Sequence, residues 1–228
     1  MPIDPQVREI LDQLQDSLGG LSTPNLNEDT DSWDIYEVYA FSIVLEAARI
    51  EGATVHYENV YGEDTSEFIF RTSPGVIYST AHPYTHAVIE FENKPVLETH
   101  LGVKASGKSG ILHEHDVSVI WQEEADSCRV GGVSPRAAKI LLAIECKFYG
   151  SDLPLHLGRS FLGLVQEFSQ NTSCFLVSNV QIEEKNISRL LTKHKRKWQG
   201  RVVPDSENDI KSLRHLCQEV FKNFKAAN

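Results

Sequence analysis

Three ionisable residues sit in two apolar runs of this chain. Asp116 lies in ILHEHDVSVI, residues 111–120, and Glu145 and Lys147 lie one residue apart in ILLAIECKF, residues 140–148. Both runs read as buried strands. Side chains alternate faces along a strand, so Glu145 and Lys147 point the same way and Cys146 points into the opposite layer. Two carboxylates and an ammonium gathered on a sheet edge can hold a hard divalent cation and activate a water beside it. That is the apparatus for cutting a phosphodiester.

The plain alternative is two acids and a lysine at strand ends, since an E-x-K tripeptide is common. Context speaks against it. Leu141, Leu142, Ala143 and Ile144 precede Glu145, and a run apolar on both faces marks a central, covered strand. Val117, Val119 and Ile120 give Asp116 the same setting. Charge there is expensive unless paired or metal-bound. Glu37 adds a further acid. It heads a helical stripe with Phe41, Val44 and Ala48, which places a carboxylate on a face otherwise directed to the core. Its other reading is a first-turn glutamate favoured by the helix dipole.

Other patterns compete. GVKASGKS, Gly102 to Ser109, satisfies the phosphate-loop pattern Gly, four residues, Gly-Lys-Ser. Such a loop must open a helix, and the residues after it read as a strand, so a flexible turn is the better account. His113 and His115 share a strand face and suggest zinc. Asp116 then faces away from them, and no later pair completes the ligand set. KHKRKW carries Lys193, Lys195, Arg196 and Lys197, with Trp198 able to stack on a base. It is a phosphate-contacting patch or the solvated face of a helix. Arg159, just inside a helix after Pro154, is placed to reach a substrate backbone.

Helices and strands must position these groups. Helices are expected over 6–18, 33–51, 153–170, 186–198 and 209–225, with 21–32 a polar loop. Strands are expected over 53–60, 67–72, 85–93, 96–103, 111–120, 140–148, 173–179 and 200–204, with a polar excursion over 126–135. This mixture gives an α/β or α+β domain with a central mixed sheet flanked by helices.

Composition sets the outer bounds. The 228 residues, 41% hydrophobic and 24% charged, fit one ordinary globular domain with a sizeable core. No apolar run approaches bilayer thickness, so no membrane association is expected. The acidic, amphipathic N-terminus is no signal peptide. The four cysteines are scattered without a CxxC pair, and Cys146 and Cys174, in apolar strand-like runs, read as reduced core residues of a cytoplasmic protein. The net charge of −10 argues against a cationic coat for nucleic acid, though basic residues do cluster, at Lys193 to Lys197 and around Lys104 and Lys108.

The order of these features resembles the PD-(D/E)XK nuclease superfamily, which includes type II and Mrr-like restriction endonucleases and archaeal Holliday junction resolvases. The features are a helix with Glu37, the turn GKSGILHEHD with Asp116, a hydrophobic strand ending E-C-K, then a helix carrying Gln166. The resemblance spans roughly 33–180. It implies a restriction-endonuclease-like core, with Asp116 and Glu145 as ligands of Mg2+ or Mn2+ and Lys147 as the catalytic lysine. Glu37 would be an additional acid on the first helix, and Gln166 a polar residue after the lysine strand. His115 stands where such motifs place a proline. The expectation is a single nuclease-like domain over 1–228: helix and linker in 1–30, catalytic core in 31–180, completing elements in 181–228. The expected reaction is magnesium-dependent endonucleolytic hydrolysis of DNA. The carbonyl of Cys146 is a further candidate metal ligand. Lys104, Lys108, Arg159, Gln166, Lys193, Lys195, Arg196 and Lys197 are the candidate nucleic-acid contacts. A homodimer would suit cuts on both strands. The alternatives are a catalytically weak nucleic-acid-binding module of the same fold, or a phosphate-loop NTPase built on Gly102 to Ser109.

Overall fold

The apolar runs around Asp116 and Glu145 fold as central strands of a sheet covered on both faces. The computed structural model describes residues 4–181 and 186–228. In chain order the elements are α1 (Pro5–Ser17), α2 (Ser32–Ile50), β1 (Thr54–Glu58), β2 (His86–Glu90), β3 (Leu97–Ser106), β4 (Leu112–Trp121) and α3 (Gln122–Gly131). They continue with a 3₁₀ turn (Ala137–Lys139), β5 (Ile140–Lys147), α4 (Leu155–Glu167), β6 (Ser173–Ser178), α5 (Ile187–Lys193), β7 (Lys197–Gln199) and α6 (Glu207–Ala227). The seven strands form one sheet in sequence order. β1 to β5 pair antiparallel, whereas β5, β6 and β7 run parallel. Parallel neighbours need crossover connections, and α4 and α5 are those crossovers. The mixed α/β class read from the sequence is the class that forms.

Two cores sandwich the sheet. Leu97, Leu101, Val117, Val119, Leu142, Ile144 and Cys146 face one layer with α1, α2 and α6. Val103, Ala105, Ile120, Ala143 and Leu176 face the other, with Phe161 and Val165 of α4 and Leu191 of α5. α2 is apolar nearly all round and sits between α1, α6 and the sheet, as such a helix must. Phe41, Val44 and Ala48 are fully buried, so the stripe below Glu37 does face the core. All four cysteines are buried free thiols. No helix among the described residues is long and apolar enough to cross a membrane.

The sheet changes face beside Asp116. Leu101 belongs to the α2-side core but Val103 to the opposite one, although strict alternation would put both on one face. Between them Gly102 takes φ +57, a left-handed value open to glycine at no steric cost. The pairing of β3 with β4 passes from Leu101↔Val117 to Val103↔His115, so Gly102 is level with Asp116.

Several sequence expectations are corrected. Residues 67–72 are not a regular strand. The Phe68 N–H donates to Ser22 O at 2.8 Å, and Ile69 and Phe70 donate to the side chains of Thr85 and Asn25, so loop partners replace a ladder. The polar excursion holds α3, closed by Gly132 at φ 62 and tied down by Glu124–Arg136. The helix expected over 186–198 ends at Lys193. Lys195 turns left-handed and Lys197 and Trp198 join β7. Residues 200–204 are no strand; Val202 and Val203 are instead buried. Gly102 to Ser109 runs along β3 into a hairpin turn, where Gly107 donates to Ile111 O and Gly110 to Gly107 O. No helix opens there, which removes the basis of a phosphate loop.

Gly102 and Gly163 should respond to alanine with opposite signs. Gly102→Ala forces an L-residue into the left-handed region and is expected to lower unfolding free energy by about 1–2 kcal/mol. Gly163 lies in α4 with open space around its would-be Cβ, so Gly163→Ala should raise stability by up to about 1 kcal/mol. Urea denaturation of both variants checks the pair.

Candidate active site

Asp116 and Glu145 stand where two central strands part. β4 and β5 pair from Ile120↔Ile140 to Val117↔Ile144, and the ladder ends there. The next residues outward are Asp116 and Glu145. Beyond the ladder the Cys146 N–H donates to Asp116 Oδ2 at 2.6 Å, so a side chain stands in for the missing strand partner. Lys147 reaches both acids: its Nζ is 2.6 Å from Glu145 Oε1 and 4.0 Å from Asp116 Oδ2. It also donates to Cys146 O at 2.9 Å, so that carbonyl, expected as a metal ligand, is already engaged by the ammonium.

The N-terminal end of α2 closes the site from one side. Asp34, Glu37, Glu114, Asp116 and Gly102 line a cavity of about 210 Å³ together with residues 71–74. Asp34 and Glu114 belong to this group although the sequence reading did not single them out. Both were accessible to it, because Asp34 lies one helical turn before Glu37 and Glu114 shares Asp116's face two residues earlier.

The electrostatics are those of a site short of positive charge. Burial, then Asp116, Asp34 and Glu114, push the Glu37 carboxyl up to about 9. Burial and Glu145 push Asp116 up to about 7, against the opposing pull of Lys147 and the Cys146 N–H. Burial, then Asp31 and Glu114, raise Asp34 to about 6. Burial and Glu145 raise Glu114 as well. Burial disfavours the Lys147 ammonium, but Glu145 and Asp116 outweigh it and raise its pKa. Buried like charges with too little opposite charge shift in this direction. The donors are all oxygens, the set suited to a hard cation. They are spread more widely than a closed cage: among the described residues, the three acid or histidine ligand atoms found within 4.8 Å of one another belong to His56, Glu58 and Asp64. Mg2+ keeps several of its waters and needs few protein ligands, which fits an open set.

The expected nucleic-acid contacts divide. Lys104 pairs across strands with Glu114 and lines a neighbouring cavity of about 650 Å³ that shares residues 71–74 with the acidic one. Lys108 sits in the hairpin turn with its N–H on Glu167 O. Arg159 and Gln166 are exposed on α4 and do not line the acidic cavity. The KHKRK run is not one basic face. Lys193 ends α5 and Lys195 occupies the turn, the Arg196 Nε is buried, and Lys197 is 2.9 Å from Glu219. His113 and His115 face α4, near Glu167 and Phe168, on the side away from Asp116.

Comparison of the chain with family models, curated proteins and solved structures finds no match.

The raised acids set a pH dependence. Between the ordinary carboxylate range and about 9 the folded chain keeps protons that the unfolded chain has released, so stability is lost as pH rises through that window. Glu37→Gln removes the largest of these contributions. Its melting temperature should therefore exceed that of wild type by a margin that widens from mildly acidic to alkaline pH. A margin that stays constant, or narrows, would contradict the charge deficit at this site.

Proposed function

We propose that the protein is a metal-dependent nuclease that hydrolyses phosphodiester bonds of DNA. The observation that carries this reading is the convergence of Asp116, Glu145 and Lys147 at the end of the β4–β5 ladder, with Glu37 pressing a further carboxylate toward Asp116. The surplus of buried negative charge supports a cation as the missing partner. The order of elements from α2 through β3, β4, β5 and α4 to β6 also agrees with the resemblance to PD-(D/E)XK nucleases.

In this mechanism Asp116 and Glu145 hold Mg2+ or Mn2+, with Glu37 behind Asp116. The bound ion supplies charge neutralisation and a more acidic water. The Asp116 carboxylate is fixed by the Cys146 N–H, so it presents its donors without having to reorient. Lys147 contributes the ammonium that orients the attacking water or meets the charge building on the phosphate. The cavity beside the acids, with Lys104 and His82 on its wall, gives an anionic backbone a route to the reacting position. Its contacts are local, which reconciles a polyanionic substrate with a net charge of −10.

Nicking of supercoiled plasmid tests the proposal. Wild type is expected to convert it to open circle only with Mg2+ or Mn2+ present. Lys147→Ala and Asp116→Asn should each lower the rate by about a hundredfold or more while keeping the wild-type circular dichroism spectrum. A Lys147→Ala variant that cuts at the native rate refutes the assigned mechanism. Metal-independent DNA binding without any nicking would instead identify a binding module.

A further inference from the structure

A second cluster of histidine and carboxylate side chains lies at the β1 edge of the sheet, three strands from the fork at β4. β1 is an edge strand, and His56 and Glu58 share one of its faces. The chain then turns back over residues 59–63. Asn59 builds this turn: its Oδ1 accepts from the N–H groups of Tyr61 and Glu63, and its Nδ2 donates to Glu63 Oε2. The turn delivers Asp64 opposite Glu58 as an isolated bridge. One donor atom from each of His56, Glu58 and Asp64 then lies within 4.8 Å of the other two.

We propose that His56, Glu58 and Asp64 form a metal site for Zn2+ or a similar borderline ion, which clips the turn after β1 onto the edge of the sheet. The spacing suits such an ion. Tetrahedral zinc with bonds of about 2.0–2.1 Å holds neighbouring donors roughly 3.3–3.4 Å apart, and His56 Nε2 is 3.4 Å from Glu58 Oε1. The supporting groups are those that metal ligands require. His56 Nδ1 faces Glu90 Oε2 at 3.9 Å, a carboxylate behind a ligating imidazole. The other oxygen of Glu58, Oε2, is 3.5 Å from His86 Nε2. His86 is fully buried, and the same Nε2 also lies 3.3 Å from an Arg129 guanidinium nitrogen and 3.6 Å from Glu98 Oε2, so the ligating carboxylate is backed by a buried network that fixes its orientation. Asp64 is exposed and the other two ligands are half-buried, which gives an ion access and leaves a position for water. The imidazole donor selects a borderline ion over Mg2+, so this site differs in preference from the all-oxygen set at Asp116. An ion here also blunts an edge strand whose outer hydrogen-bonding groups are otherwise only partly paired.

Zinc titration of the chelator-stripped full-length chain against a chromogenic zinc indicator tests this independently of any nuclease activity. Wild type is expected to take up one Zn2+ at micromolar concentration, to keep it in millimolar Mg2+, and to melt at higher temperature with it. His56→Ala and Asp64→Ala should each weaken uptake by about tenfold or more and abolish the thermal shift, whereas Asp116→Asn should leave both intact. Unchanged uptake in both His56→Ala and Asp64→Ala overturns the proposal, as does the absence of micromolar uptake in wild type. Loss of uptake in Asp116→Asn alone would assign the ion to the strand fork and equally overturn it.

Discussion

An excess of acids over cations is the constraint around which the centre of this molecule is built. Glu37, Glu114, Asp116 and Glu145 all feel the Lys147 ammonium where β4 and β5 separate. Asp34 joins Glu37, Glu114 and Asp116 around one cavity, and Lys104 beside Glu114 and Arg71 on the cavity wall are the other cations. Two unit charges about 4 Å apart interact by roughly 4 kcal/mol at the effective dielectric of a protein surface. Repulsion between neighbouring carboxylates must be offset elsewhere or relieved by binding protons or cations. The acids are pushed up in the free chain, and under the proposed nuclease function a bound cation would relieve the same charge deficit.

The same fold holds a buried acid in the opposite state. Glu98 on β3 is fully buried and burial works against its ionised form. Hydrogen bonds from His100 and Arg129 outweigh that and hold its carboxyl well below the usual range. Arg129 reaches both Glu98 oxygens, at 3.0 and 2.5 Å. This is a matched network whose donors satisfy the charge. Burial alone therefore does not raise acids here. What distinguishes the fork is burial without matching, which is the observation that supports the proposed site.

The packing that enforces the mismatch comes from α2. Its apolar faces leave it nowhere to go but between α1, α6 and the sheet, so its N-terminal two turns are carried over the fork with Asp34 and Glu37 attached. Tyr36 packs on Phe148, just beyond Lys147, with ring centroids 5.5 Å apart. Phe41 meets Phe68 from the loop that also borders the acidic cavity. Burial of these rings, each contributing roughly 1.5–3 kcal/mol, favours the docking of α2 that brings its carboxylates to the fork. On the sheet side Gly102 lets β3 change face beside Asp116, and Asp116 and Glu114 share a cavity with the first turn of α2.

Much of this was legible in the residues themselves. The apolar runs around Asp116 and Glu145 announced covered strands, the one-residue gap between Glu145 and Lys147 put them on one face, and the stripe of Phe41, Val44 and Ala48 aimed Glu37 inward. These are consequences of local periodicity, which each segment carries alone. Other segments misled for an equally physical reason. Residues 67–72 look like a strand because Phe68 and Phe70 alternate, yet Asn25, Ser22 and Thr85 satisfy their backbone from distant parts of the chain. The KHKRK run looks helical until Lys195 turns left-handed and Lys197 finds Glu219. The sequence by itself determined the fold class, the strand faces and the inward carboxylate. Only the tertiary structure decided where the β4–β5 ladder stops, that the α2 acids and the β4 acids close on one cavity, and that His56, Glu58 and Asp64 meet at the sheet edge. Those outcomes depend on contacts between residues far apart in the chain, and no local pattern encodes them.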